Sequence, residues 1–434
     1  MVKKFYGILP ILLTLLFEVV ATGGNAQEPD QVYYSNIQSV KLNILGNQLG
    51  YPVIRLNSSD QLELHFDDRE GGTKAYSYAW QLCNADWSPA NLSPMDYVRG
   101  FTQQRIITYR NSSVALTHYT HYMQVLPDRS SAPSRSGNYL LKVFLNGDPN
   151  QLAFTRRVLV VEEKAAIAVQ VQQPFNNQFF NTHQKIAFTV NTKNLNLANP
   201  MQQVTICILQ NNRWDNRRVL QRPTFIRQNT LEYNTEDESV FPGGREYRWL
   251  DLRSFRLQSD RVDSAQYGNT YTNIFVKPDL DRNGLRFVFY RDANGMYYFE
   301  TLDGMNPYWQ GDYATVNFRF KPPGGIPFTK DLYLFGELTN YGKDAASKMV
   351  FNKETKLYET NIWLKQGFYD YGYAIKQGEG DAAYYSLEKT EGNNWETENS
   401  YTVLVYYRSL GGRSDELVAL SKVNSLTGRP QGPY

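Results

Sequence analysis

Apolar and polar side chains alternate along much of this chain with a period of two residues. Every second residue is apolar in Leu62–Phe66 and again in Tyr76–Leu82. Because successive side chains of a strand point to opposite faces, each apolar set covers one face of a β-sheet. No long segment shows the 3.6-residue period of an amphipathic helix. The pattern predicts an all-β protein.

Turn and linker signals divide the predicted strands into groups. Asn146 and Gly147 lie between two alternating runs and predict a hairpin, since both accept the positive φ of a tight turn. Val204–Leu209 is apolar on both faces and predicts a central strand. Lys321–Gly325 contains two prolines and two glycines, which cannot continue a central strand, and predicts a linker. We therefore predict three tandem β-sandwiches of the immunoglobulin or fibronectin type, over residues 27–163, 164–320 and 326–434.

The first residues differ from this pattern. Lys3 and Lys4 precede an apolar run, Ile8–Val20, and the small-residue stretch Ala21–Ala26. This order predicts a secretory signal peptide over residues 1–26. Cleavage after Ala26 leaves no cysteine for a lipid anchor, and no later stretch has the roughly 20 apolar residues of a membrane helix. We expect an exported protein that does not insert into a membrane.

Charge and cysteine content narrow the function classes. With 45 Lys and Arg against 43 Asp and Glu, the formal net charge is +2, which is too small to steer the protein to nucleic acid. Cys83 and Cys207 are few for an exported chain of 434 residues, so stability must come from packing. We predict two buried thiols, with a shared disulfide as the alternative.

The four histidines do not form an evident site. A spacing of three on a strand sends His118 and His121 to opposite faces, which argues against a shared metal ion. His65 and His183 stand alone, and no nucleophile can be matched to a base. We expect a non-catalytic protein with no cofactor, no metal and no small-molecule substrate.

A calcium-loop motif is imitated by Asp279–Gly284, which has oxygen-bearing side chains at alternate positions before a glycine. The twelfth position is Tyr290 instead of glutamate, and Leu285–Tyr290 reads as a strand. Asp292–Gly295 repeats the same turn chemistry. The two segments predict Asx-Gly turns around a hairpin.

The third predicted sandwich is similar in its order of features to glycogen-binding and starch-binding modules. Leu334–Gly336, Tyr341, Met349 and Gly367–Tyr371 follow that order, but Tyr341 stands where those modules place a tryptophan. The similarity implies the sandwich more than sugar recognition. A glycan-binding protein is the alternative function.

Eight short blocks along the chain share a further resemblance. They are Cys83–Trp87, Thr117–Tyr122, Ser136–Tyr139, Gln210–Asp215, Pro242–Arg248, Gly311–Tyr313, Leu364–Tyr369 and Tyr406–Arg408. In this order, they resemble the plug proteins of the Bacteroidetes type IX secretion system.

The resemblance implies a periplasmic protein on the inner face of the outer membrane that binds and seals the translocon barrel of that system. Aromatic and arginine side chains dominate protein interfaces, so turns that carry them are candidate contacts. The candidates are Trp87, Arg213, Trp214, Asp215 and Tyr341. Trp87 and the Arg213–Asp215 turn directly follow strand signals, so we expect them to project from sheet ends, with a position in the core as an equal alternative for Trp87.

Overall fold

The computed structural model describes residues 28–380, 383–427 and 430–431. The predicted signal peptide, residues 1–26, lies outside them. Regular structure is almost entirely β, and the two α-helices, α1 (Pro94–Tyr97) and α2 (Pro200–Gln203), have four residues each. Three 3₁₀ turns cover Pro323–Gly325, Glu337–Thr339 and Ala345–Ser347. The all-β prediction is confirmed. Among the described residues, no helix is both long and apolar enough to cross a membrane.

The first sandwich is built from two mainly antiparallel sheets and a short strand pair. Its strands are β1 (Ile37–Ile44), β2 (Val53–Arg55), β3 (Leu62–Asp68), β4 (Tyr76–Cys83), β5 (Val98–Gly100), β6 (Gln103–Arg105), β7 (Thr108–Asn111), β8 (Thr120–Leu126), β9 (Ser131–Pro133), β10 (Gly137–Leu145) and β11 (Leu152–Val161). One sheet has the order β1-β3-β8-β7 and the other β2-β11-β10-β4-β6, with β2 parallel to β11, while β5 pairs with β9. As predicted, Asn146 and Gly147 turn the chain between β10 and β11 with positive φ.

The second sandwich begins with β12 (Ala166–Gln172), β13 (His183–Asn191), β14 (Val204–Gln210), β15 (Arg213–Leu220), β16 (Phe225–Arg227), β17 (Thr230–Tyr233) and β18 (Val240–Pro242). The chain then leaves it to form the third sandwich. Its strands are β19 (Arg248–Asp251), β20 (Val262–Tyr267), β21 (Thr272–Val276), β22 (Asp279–Leu280), β23 (Tyr297–Tyr298), β24 (Tyr313–Lys321), β25 (Leu332–Phe335), β26 (Val350–Asn352), β27 (Leu357–Lys365), β28 (Phe368–Gln377) and β29 (Tyr384–Ser386).

The chain finally returns to the second sandwich with β30 (Ser400–Tyr407), β31 (Glu416–Asn424) and β32 (Pro430–Gln431). There β14 lies between β15 and β30, in a sheet of order β15-β14-β30-β31-β32. The opposing sheet has the order β12-β13-β17-β16, with β18 also on β13. The third sandwich is therefore inserted into the second.

The insertion corrects the tandem boundaries predicted at residues 164–320 and 326–434. Lys321–Gly325 does not separate two units, because Phe320 before it and Leu332 after it belong to one hydrophobic core. In that core, the sheet β20-β21-β24-β27-β26 packs on strands gathered around β28. Val403 and Val418, predicted in the third sandwich, instead pack with Ile206 of the second.

The two-residue period of apolar side chains correctly predicted which face of an individual strand is buried. Leu62, Leu64 and Phe66 of β3 have no exposed area, and they share one core with Tyr76 and Tyr78 of β4. The prediction that Val204–Leu209 is a central strand is also confirmed. The Ile206 and Ile208 side chains face the second sandwich's core, and Cys207 and Leu209 pack against the first sandwich.

Two predictions on turns and cysteines have different outcomes. Cys83 and Cys207 are buried free thiols, as expected. The strand predicted at Leu285–Tyr290 does not form; these residues are irregular, and the Leu285 and Val288 side chains are exposed. Asp279, the first residue of the segment that imitates a calcium loop, is occupied by ion pairs. Its buried carboxylate pairs with Arg248 at 2.8 Å and with Arg261 at 2.9 Å.

Candidate functional site at the junctions of the three sandwiches

The five predicted contact residues come together in space, although they belong to three sandwiches. The Trp87 and Trp214 rings meet edge to face, with their centroids 5.0 Å apart. Arg213 lies 4.5 Å from the Phe335 ring, and Tyr341 meets the same ring edge to face. We call this group, with Asp215, Arg157 and Phe335, the tryptophan junction. It lies where all three sandwiches meet.

The Arg213, Trp214 and Asp215 side chains are buried, which corrects the expectation that they project from a sheet end. Arg213 is 5% exposed and Trp214 7% exposed, and Trp87 is half-buried. Arg213 donates two hydrogen bonds to Asp215, at 3.1 and 2.6 Å, and a third to the Tyr385 carbonyl at 3.1 Å. These side chains meet neighbouring sandwiches instead of solvent.

Arg157 of β11 joins the two tryptophans. Its guanidinium lies 4.8 Å from the Trp87 ring centroid and 5.0 Å from that of Trp214, within the range of cation–π attraction. It also forms an ion pair with Asp30. Burial raises the pKa of Asp30, but the charges of Arg157 and Arg156 outweigh burial and hold it below its ordinary value. The carboxylate therefore stays charged beside the arginine.

Backbone conformation positions two of these rings. Trp87 has φ of 73° and Tyr341 φ of 52°, in the left-handed region that bulky residues rarely occupy. Such conformations persist where packing over-determines them. Here the Trp87 ring is held by Trp214 and Arg157, and the Tyr341 ring by Phe335.

A cleft of about 830 Å³ runs between the first and third sandwiches and reaches Trp214, Asp215 and Tyr341. Lys41, which is 3% exposed, also lines it. The Lys41 ammonium donates to both Glu337 carboxylate oxygens, at 2.7 and 2.6 Å, and to the Tyr297 carbonyl at 2.8 Å. Burial lowers the pKa of Lys41, and the charge of Glu337 opposes this. The charged groups of this wall already compensate one another.

A second buried junction joins the first and third sandwiches through Asp67 of β3. Its carboxylate lies 2.5 Å from the Lys365 ammonium and 2.6 Å from His121 Nδ1, and it accepts a hydrogen bond from the Tyr313 hydroxyl. His65 Nδ1 lies 3.1 Å from His121 Nε2. We call these five residues the Asp67 network. Each is at most 4% exposed.

The Asp67 network corrects the prediction that His65 stands alone. On β3, the polar residues Glu63, His65 and Asp67 alternate with the apolar core residues, so they occupy the second face of the strand. The alternating pattern does not show what covers this second face. In the structure the third sandwich covers it, and the Tyr308 ring stacks on His65 with centroids 4.0 Å apart.

Asp67 is the centre of the network: Lys365, His121 and Tyr313 bond to its carboxylate, and His65 is joined to it through His121. Burial raises the pKa of Asp67, but the charge of Lys365 and the hydrogen bond from His121 outweigh burial, so that the pKa is lowered. Lys365 and Tyr313 belong to the third sandwich, so their bonds to Asp67 hold the first and third sandwiches together. His118 lies before the start of β8 and is exposed, so it does not share a strand with His121 and the predicted opposite-face arrangement does not form.

The buried state of His121 predicts a pH-dependent stability. Burial lowers the pKa of His121 to about 4, although Asp67 acts to raise it. An unfolded histidine has a pKa of about 6.5, so the unfolded chain binds more protons between these values. We expect the free energy of unfolding to fall by about 2–3 kcal/mol from this group as pH falls from about 6.5 to about 4.

Urea denaturation of the wild type and of His121→Gln across pH 4–7 checks this prediction. Groups that titrate elsewhere contribute to both proteins and cancel in the comparison. The exposed His118→Gln is the matched control and keeps the wild-type profile. Parallel profiles for wild type and His121→Gln would contradict the prediction.

Comparisons with known proteins agree with the architecture. The family model of the type 9 secretion system plug protein first domain matches residues 37–162, which span the strands of the first sandwich. A crystal structure of a hypothetical protein from Parabacteroides merdae ATCC 43184 is similar, with a TM-score of 0.86 and 32% sequence identity. That match covers 92% of this chain and 100% of that chain. No curated protein matches the sequence. The predicted resemblance is confirmed, and the chain belongs to the type IX secretion system plug family.

Proposed function

We propose that this protein is a non-catalytic periplasmic plug that binds the periplasmic opening of the type IX outer-membrane translocon barrel and closes it. The observation that carries the proposal is the match of residues 37–162 to the first domain of the plug family. The inner face of the outer membrane is the location that this function requires.

A seal must keep its shape against a wide opening, and the way the sandwiches are joined supports this. The Asp67 network and the tryptophan junction are buried, and their contacts cross sandwich boundaries. Contacts of this kind make relative domain motion costly, unlike the smaller polar interfaces of mobile domains. The three sandwiches act as one rigid body in this proposal.

The contact with the barrel needs exposed side chains, which the tryptophan junction does not offer. In the matched first sandwich, Phe101 is 66% exposed and Ile107 is 73% exposed. They flank β6, the edge strand of its sheet. An edge strand leaves backbone donors and acceptors open to a partner, and exposed apolar side chains beside it are buried when the partner binds. We place the barrel contact at this edge.

Affinity purification from native envelopes tests the proposal. We expect the wild-type chain to recover a very large outer-membrane barrel in mild detergent, and the double variant Phe101→Ser with Ile107→Ser to recover at least tenfold less. Ile326→Ser is the matched control, because Ile326 is 69% exposed but belongs to the third sandwich. It should recover the barrel normally.

The outcomes separate binding from its location. Recovery of no such barrel by the wild type would reject the plug function. Full recovery by the double variant would reject only the contact at the β6 edge. Sealing is measured in cells that lack the protein, where the outer membrane should admit large antibiotics until the wild-type chain is restored.

The glycan-binding alternative is not favoured by the geometry. Tyr341, the aromatic residue that would stack on a sugar, lies against Phe335 in the tryptophan junction. Its hydroxyl is buried, and burial raises its pKa well above the ordinary value. No exposed aromatic tip forms at this position.

A further inference from the structure

Four carboxylates meet where the chain passes between the second and third sandwiches. Glu246 precedes β19, Asp292 opens the predicted Asx-Gly turn, Asp370 lies in β28 and Glu398 precedes β30. We call them the carboxylate cluster. The ligand atoms of Glu246, Asp292 and Glu398 all lie within 4.8 Å of one another. Asp370 holds the same turn, accepting the Ala293 and Gly295 amides at 2.6 and 3.2 Å.

The carboxylate cluster contains acceptor atoms without partners. Glu246 is 1% exposed, and its Oε2 atom is buried with no hydrogen-bond donor among the described residues. Asp370 is fully buried, and its Oδ1 atom is in the same situation. An ionised carboxylate away from water is costly unless a donor or a cation compensates it. The cluster has two such oxygens.

The donors that do reach the carboxylate cluster are neutral. Glu398 accepts hydrogen bonds from the side-chain amides of Asn294, at 2.8 Å, and Asn424. The Asp292 carboxylate accepts hydrogen bonds from the backbone N–H groups of Asn294, at 2.9 Å, and Tyr247. Within residues 28–380 and 383–427, no lysine or arginine forms an ion pair with any of the four carboxylates.

The neighbouring arginine is engaged elsewhere. Arg282 donates to the Glu391 carboxylate at 2.6 Å, to the Tyr290 hydroxyl at 2.8 Å and to the backbone carbonyl of Glu246 at 2.8 Å. Its charge is therefore shared with Glu391, and no hydrogen bond reaches the Glu246 carboxylate from it. The negative charge of the cluster remains without a direct counterion.

We propose that Glu246, Asp292 and Glu398 bind one Ca²⁺ ion. Hard cations prefer carboxylate oxygens, and Ca²⁺ holds them at roughly 2.3–2.6 Å. Its ligands therefore lie at most about 4.6–5.2 Å apart across the ion, which accommodates three oxygens within 4.8 Å. Mg²⁺ keeps most of its water and commonly uses one or two carboxylates, so a site with three favours Ca²⁺. The unpartnered Glu246 Oε2 atom is the oxygen that the ion satisfies.

A proton is the alternative to a cation at these buried oxygens, because it also removes the negative charge. Burial raises the pKa of Glu246 to about 8, and the charges of Asp292 and Glu398 add to the effect. Burial likewise raises the pKa of Asp370 to about 8, together with the charge of Asp292. A Ca²⁺ ion at the cluster would supply the positive charge that lets these carboxylates stay ionised.

The ion would fasten the two passages that connect the second sandwich to its insertion. These passages already touch: the Asn394 amide donates to the Gly244 carbonyl at 2.9 Å, and the Glu398 amide donates to Glu246 Oε1 at 3.1 Å. Asp292 adds a turn of the third sandwich. Bound Ca²⁺ therefore stabilises the orientation of the third sandwich relative to the second.

Thermal unfolding and calorimetric titration of the full chain with CaCl₂ at pH 8, after dialysis against a chelator, test the proposal. We expect one Ca²⁺ per chain and a higher melting temperature. The dissociation constant should be about 10⁻⁴–10⁻³ M, as in extracellular calcium modules. At a hundredfold excess over that constant, the folding equilibrium shifts about 100-fold toward the native state. MgCl₂ at the same concentration should give a smaller shift.

Two amide variants locate the site. Glu246→Gln and Glu398→Gln should each lose the Ca²⁺ response at least tenfold, while Glu238→Gln, an exposed carboxylate of the second sandwich, keeps it. Glu246→Gln should be at least as stable as the wild type in chelator, because it removes a buried charge. The absence of binding heat and of a thermal shift up to 10 mM CaCl₂ would overturn the proposal. So would an unchanged response in both amide variants, or a response to MgCl₂ alone.

Discussion

Replacement of Lys365 by methionine should lower the free energy of unfolding by about 3–5 kcal/mol. Lys365 is 1% exposed, and its ammonium lies 2.5 Å from the fully buried Asp67 carboxylate. Methionine has a similar length but no charge, so the donors that Asp67 keeps among the described residues are His121 and Tyr313. An uncompensated buried charge is costlier than the loss of the pair itself. Chemical denaturation, followed by tryptophan fluorescence, measures the change.

The same variant should be less destabilised at pH 6 than at pH 8. The charge of Lys365 is one of the causes that lower the pKa of His121. When the lysine is gone, His121 takes a proton more readily and supplies a positive charge beside Asp67. A loss of stability that does not change with pH would contradict this account of the network.

Two controls separate the Asp67 network from lysine replacement in general. Lys348 and Asp331 form an exposed ion pair at 2.7 Å, so Lys348→Met should cost no more than about 1 kcal/mol. The double variant Asp67→Asn with Lys365→Met removes both charges and should recover most of the loss. Additive losses in the double variant would show that the two side chains do not act as a pair.

The fold could be predicted from the sequence where the information is local. The β3 and β4 alternation gave the buried faces, and the apolar run Val204–Leu209 gave a central strand. The partner of β14 could not be predicted, because β15 and β30 both pair with it and β30 lies far along the chain. Local pattern does not distinguish such partners. The insertion of the third sandwich follows from this one non-local pairing.

The sequence predicted several residues of the candidate site, but it did not predict that they are buried between sandwiches. Trp87, Trp214 and Tyr341 were selected because aromatic residues after strands often contact partners, and here the partner is another sandwich of the same chain. Blocks that carry the family resemblance, such as Cys83–Trp87 and Leu364–Tyr369, contribute to these junctions through Trp87 and Lys365. Polar residues such as His65 and Asp67 gave no such signal. Their burial depends on a neighbouring sandwich that a strand pattern does not reveal.

Replacement of Trp214 by alanine should cost about 3–5 kcal/mol and loosen the first sandwich from the second. The indole packs with Val53 and Leu159 of the first sandwich and with Leu404 of the second, and its N–H donates to the Tyr51 hydroxyl at 2.6 Å. Alanine leaves a cavity between the sandwiches. It also removes a ring from Arg157.

Hydrogen exchange distinguishes a loosened junction from a general loss of stability. In Trp214→Ala, amides of β2 and β11 in the first sandwich should exchange faster, although the substitution is in the second. Trp249→Ala is the matched control, because Trp249 also meets an aromatic ring and an arginine, Tyr290 and Arg261, but within the third sandwich. In Trp249→Ala, only amides of the third sandwich should exchange faster. If Trp214→Ala affected only the second sandwich, the tryptophan junction would not be what joins the two. If it loosened both and also recovered less of the outer-membrane barrel, a fixed arrangement of sandwiches would be part of how the plug binds.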